Sequence, residues 1–115
     1  MIMLLDGHIH IWKAKTSSDD LAAQLSSAGV DGGLILSLAP ASFVQLRQEC
    51  LAPEQRIEDV LAWCEGSENL FPFYWIDPTE PDAADQVALA VERGIRGFKI
   101  ICDQFHPGDA RAMKT

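Results

Sequence analysis

The chain lacks the signals of several large functional classes. It has three cysteines, Cys50, Cys64 and Cys102, and no CxxC pair. An odd, widely spaced set builds no disulfide framework and no thiolate cluster, and reads as reduced packing thiols of a cytoplasmic protein. Cations are scarce: nine Lys+Arg stand against 17 Asp+Glu, giving a net charge of −8 and a pI near 4.6. Scattered basic residues cannot track phosphates, so neither nucleic acid nor an anionic membrane surface is an expected partner. No apolar run approaches the roughly 20 residues of a membrane span. Met1–Leu5 is apolar, but it ends at Asp6 and has no basic start, so it is not a signal peptide. Three motifs are also missing: a GxxxxGK[ST] phosphate loop, a GxGxxG after a strand, and a GxSxG nucleophile elbow.

What remains is 115 residues, 48% hydrophobic and 8% aromatic. This is enough for one domain, over residues 1–115, with a real core. Strand and helix signals alternate along it. Met3–Ile11 opens as a strand. Ser17-Ser18-Asp19-Asp20 starts a helix that Gly29 stops. Gly33–Leu38 is a short apolar strand, and Pro53-Glu54 opens a second helix that ends at Gly66. Leu70–Ile76 is a third strand, with Pro72 an awkward member. Asp82 opens a third helix ending at Gly94, and Gly97–Ile101 is the fourth strand. Phe43, Leu46 and Cys50 suggest a short helix within the Ala41–Ala52 loop. The order βαβαβαβ, with nearly continuous apolar strands, predicts a parallel sheet covered on both faces. Either an open doubly wound sheet or part of a (β/α) barrel accommodates it.

Chemistry concentrates in Asp6-Gly7-His8-Ile9-His10-Ile11-Trp12. Residues two apart on a strand share a face, so His8 and His10 can offer two imidazoles to one metal ion. Alternation places Asp6 on that face, one step deeper, where it can orient a ligand or pair with a buried polar group. Trp12 can wall a substrate pocket or belong to the core. Lys99 lies among apolar residues in Gly97-Phe98-Lys99-Ile100-Ile101. A lysine there is either functional, as a carbamate, a substrate-binding cation or a Schiff-base amine, or paired with Asp6, Asp77 or Asp103. Asp77, before Pro78 at the end of the third strand, reaches toward the site or starts a turn. His106, on the loop after the fourth strand, is a further pocket candidate.

The segment Asp6–Trp12 resembles the first-strand signature of the amidohydrolase superfamily, and most closely its amidohydrolase-related (amidohydrolase 2) branch. Phe73-Tyr74-Trp75-Ile76-Asp77-Pro78 and the Gly94-x-x-Gly97-x-Lys99 approach to strand four are similar to that branch as well. The likeness runs from residue 3 to about residue 107. It implies the first half of a (β/α)8 TIM barrel and a metal-dependent hydrolase, with decarboxylase or lactonase variants. His8 and His10 match the strand-one ligands of a divalent metal, often zinc, and Lys99 matches a strand-four ligand by position. The metal would acidify a bound water and polarise a scissile carbonyl of a small-molecule substrate. In the family a late aspartate takes the proton, and further histidines come from later strands. A TIM barrel needs about 250 residues, so the expectation is an N-terminal half: a truncated or split hydrolase, a dimerising half-barrel, or a non-enzymatic module with structural histidines. DNases of the TatD type and phosphoesterases of the PHP type share the Asp-x-His-x-His opening and rank behind.

Overall fold

The computed structural model describes residues 2–11, 18–43 and 51–115. Its elements are β1 (Leu5–His10), α1 (Ser18–Ser27), β2 (Gly32–Leu36), α2 (Pro53–Cys64), β3 (Leu70–Trp75), α3 (Ala83–Arg93), β4 (Gly97–Lys99) and α4 (Ala110–Met113). The strands form one parallel sheet in the order β1-β2-β3-β4. The alternation read from the sequence therefore holds, with the short α4 added after it. Residues 44–50, which carry most of the suggested loop helix and Cys50, lie outside the described residues, as does Trp12.

The order is consistent with half of a β/α fold. A doubly wound sheet reverses direction at a switch point and carries helices on both faces. Here each strand joins its predecessor without reversal. One core cluster unites Ile35, Tyr74 and Ile76 of the strands and their extensions with Ile57 and Val60 of α2 and Ala83 and Ala90 of α3, while Leu21 and Leu25 of α1 pack against it. The helices thus form a single layer on one face. The second face of the sheet, expected to be covered, carries Leu34, Phe71 and Phe73 half-buried.

Two local details follow from backbone chemistry. Pro72 sits inside the sheet, but its missing N–H falls ahead of the first β3–β4 register pair, Phe73–Gly97. Its carbonyl accepts from Arg96 N–H at 2.9 Å, so no ladder bond is lost. α3 ends at Gly94, whose φ of 99° favours glycine. β4 is shorter than the apolar run Gly97–Ile101 suggested: Ile100 leaves the ladder and is exposed.

The thiols separate by environment. Cys64 packs in the core, where burial pushes its pKa up to about 12, whereas Cys102 is exposed. Only thiolate reacts. In a Cys50→Ser chain at pH 8, iodoacetamide should therefore label Cys102 and spare Cys64 until urea unfolds the protein. Mass spectrometry of the tryptic peptides checks this, and equal labelling of both would contradict the packing.

Candidate functional site

β1 delivers the histidines. His10 pairs with Leu36 and Ile9 with Ile35. Ile35 belongs to the helix-side core, so His10 lies on the opposite face, in register with Leu36 and Phe73 and on the same face as the Trp75–Lys99 pair two residues further on. His8 Nε2 and His10 Nε2 lie 2.7 Å apart, and Lys99 Nζ is 3.4 Å from His8 Nε2. In a flat sheet β1 and β4 would stand roughly 14 Å apart, at about 4.8 Å per strand. Contact between their side chains needs both to lean inward over a concave surface.

An ammonium has no lone pair, so Lys99 donates and His8 Nε2 accepts. His10 then supplies the N–H between the rings. Burial, the His8 charge and the Lys99 charge, in that order, lower the pKa of His10, which favours its neutral form. The Lys99 ammonium also sits 5.6 Å from the centre of the Trp75 ring. It forms no ion pair with Asp6, Asp77 or Asp103 among the described residues. Trp75 stacks at a tilt on His10 (5.5 Å) and on Phe43 (4.7 Å).

Asp6 departs from simple alternation. The register slips between Asp6 and Ile9, so Asp6 pairs with Gly33. This bulge changes which face the residue belongs to. Its carboxylate accepts the backbone N–H of His8 at 2.9 Å and touches no imidazole, so it shapes the strand that carries the histidines.

Beyond Trp75 lies a cavity of about 300 Å3, lined among others by Phe43, Asp77, Gln104, Phe105 and Arg111. Asp77 Oδ1 accepts from Thr79 N (2.9 Å) and Thr79 Oγ1 (2.7 Å). Burial raises the Asp77 pKa, but hydrogen bonds from Thr79 and Ser42 and the nearby Arg111 outweigh it, so the carboxyl is held below its ordinary value. Asp77 thus starts the turn and lines this cavity, which His8, His10 and Lys99 do not line. His106 does not line this cavity; its Nδ1 accepts from Gly108 N–H at 3.0 Å in an exposed turn.

A polar group not singled out in the sequence supports the site from behind. Arg56, 2% exposed, donates to the carbonyls of Trp75 (3.1 Å) and Leu38 (3.3 Å) and to the Tyr74 hydroxyl. That hydroxyl donates to Gln86 Oε1 at 2.7 Å, and Gln86 Nε2 donates to Glu80 and Asp82. Ser37 Oγ accepts from Trp75 N–H at 2.9 Å. The chain ends of β2 and β3 are thus tied to α2 and α3. The signal was present: Arg56, Val60 and Trp63 share one helix stripe, and a cation on an apolar stripe requires partners.

Two Nε2 atoms bound to one tetrahedral zinc at about 2.0–2.1 Å would lie roughly 3.3 Å apart, so a slight opening of the rings accommodates the ion. Among the described residues no three His, Cys, Asp or Glu side chains converge. The donor set is two imidazoles, against the three protein ligands of a typical catalytic zinc. Compared with protein-family models, curated proteins and solved structures, the chain matches none of them. No helix among the described residues is long and apolar enough to cross a membrane.

Proposed function

We propose that the chain is the N-terminal half of an amidohydrolase-type (β/α)8 barrel, whose His8–His10 pair holds a divalent metal ion, zinc foremost, for hydrolysis of an amide, ester or lactone carbonyl. The observation that carries this reading is the convergence of the two Nε2 atoms, 2.7 Å apart, at the C-terminal end of the first strand of an unreversed parallel sheet. That is the end at which barrel enzymes place their chemistry. A divalent ion there would acidify a water and polarise a carbonyl.

The chain's own residues then have definite tasks. To hold a cation together with His8, neutral His10 would carry its proton on Nδ1, which frees the Nε2 lone pair. Lys99 presents an ammonium to a substrate oxygen on the same face. Trp75 and Phe43 form an apolar wall that excludes water and suits a flat or apolar substrate group. Asp77 keeps a carboxylate in the cavity lining, but its bonds to Thr79 commit it to the turn, so it is no free general base. The proton-accepting aspartate and the remaining ligands would come from outside the described residues.

The two-ligand donor set favours a second reading, a non-catalytic α/β module whose histidines serve structure. Calorimetric titration of the intact chain with zinc separates the two. The proposal expects one equivalent bound. Changing a residue that only orients a ligand costs about 10–100-fold in affinity, so the His8→Ala/His10→Ala chain should lose at least that much. Equal affinity in the double variant would sink the metal site. No zinc binding by the intact chain would leave the module.

A further inference from the structure

The cavity of about 300 Å3 beyond Trp75 is built from the segments that follow β2, β3 and β4. In α/β folds that end of the sheet is where ligands bind. Its walls are aromatic: Phe43 packs on Trp75 with ring centres 4.7 Å apart, and Phe105 lines it from the loop after β4. Gln104 Nε2 donates to the Ser42 carbonyl at 3.2 Å, which ties that loop to the segment after β2.

The charge of the lining has a sign. Among the described residues its ionisable groups are Asp77, Asp103 and Arg111. The guanidinium is already engaged, since Arg111 donates to Asp109 through Nε at 3.1 Å and Nη2 at 2.8 Å. Neither Asp77 nor Asp103 has an ion-pair partner among the described residues. Asp77 accepts from the Thr79 backbone and hydroxyl and from the Ser42 side chain. A carboxylate has about four acceptor positions, so these bonds fix the group and leave it room for one more donor.

We infer that this cavity binds a small organic cation, a primary ammonium on an apolar or aromatic body, with its nitrogen on Asp77 and its body against Phe43, Trp75 and Phe105. Ring faces attract a cation as carboxylates do, so both parts of the lining favour the same ligand. An anion would meet two carboxylates and find the one guanidinium occupied. The net charge of −8 adds long-range attraction of the same sign. The volume lies at the low end of the range for small-molecule sites, about 300–1,000 Å3, and suits a body of single-ring size. The cavity shares Trp75 with the histidine face, where that ring stacks on His10 at 5.5 Å. Under the hydrolase reading the cation is therefore the non-reacting end of the substrate, but the site itself stands without the metal.

Benzylammonium, benzyl alcohol and benzoate carry one ring with positive, neutral and negative charge. NMR titration of the intact chain at pH 7 in EDTA, followed at the Thr79 backbone amide and the Gln104 side-chain amide, compares them. Benzylammonium should bind about tenfold or more tighter than benzyl alcohol, as expected for a hydrogen bond to a charged group, and benzoate weakest. Equal affinity for the cation and the alcohol overturns the proposal. Tightest binding of benzoate overturns it in favour of an anion site at Arg111, and binding of none of the three overturns it outright. Asp77→Asn keeps an oxygen for the Thr79 bonds and removes the charge. The preference for benzylammonium over benzyl alcohol should then fall about tenfold, and an unchanged preference overturns the placement on Asp77. Where that variant fails to fold, the three probes on the unaltered chain decide. EDTA keeps zinc out of the titration, so failure here and failure of the metal reading are distinguishable.

Discussion

Replacing Arg56 by alanine should lower the unfolding free energy by about 3–5 kcal/mol, the range for stripping a buried charge from its partners. For a domain of this size the melting temperature should fall by roughly 12–20 °C. The guanidinium is nearly fully buried and donates to two carbonyls and a hydroxyl. Its removal leaves the Leu38 and Trp75 carbonyls short of a donor in a dry interior and opens a cavity between α2 and the sheet. Tyr74→Phe is the graded control. It deletes the single hydroxyl between Arg56 and Gln86 and should cost about 1–2 kcal/mol. Urea denaturation measures both. A loss below about 1 kcal/mol for Arg56→Ala would show that the strand ends hold without the clamp.

The fate of Arg56 also shows where sequence reading works. Elements bounded by backbone chemistry were legible: Pro53 opens α2 and Gly94 closes α3, because each imposes a conformation independent of neighbours. The His8–His10 pair was legible for the same reason, since strand alternation is local. What could not be read depends on other strands. The face of Asp6 follows from a bulge set by pairing with β2. The early end of β4 follows from Ile100 having no further partner, although its apolar character suggested continuation. The partners of Arg56, the Tyr74 hydroxyl and two carbonyls, come from β2, β3 and their extensions and not from its own helix.

Gly33→Ala should destabilise the fold by about 2–4 kcal/mol and also disturb the histidine pair. A methyl at Gly33 would overlap the backbone carbonyl of Asp6 and come 2.8 Å from Ile9 Cδ1. Those residues flank the register slip that sets how His8 and His10 emerge. Backbone cannot yield as a long side chain can, so β1 must shift. Gly32→Ala is the matched control, because its methyl meets Asn69 on the far side of β2. Both variants should lose comparable stability in urea. Only Gly33→Ala should also weaken zinc binding and move the ring resonances of His8 and His10 in NMR spectra. If both variants leave those resonances in place, the bulge does not govern the site.

The unreversed strand order has a kinetic consequence. Every strand after the first pairs with the one made immediately before it, so no contact in the sheet waits for a distant segment to arrive. Loop closure entropy is met in small steps, and chains with such near-neighbour pairing fold faster than those that join distant strands. A chain emerging from the ribosome can therefore accrete this sheet one βα unit at a time. Each completed strand is the template for the next, and at Lys99 the growing edge is still a template.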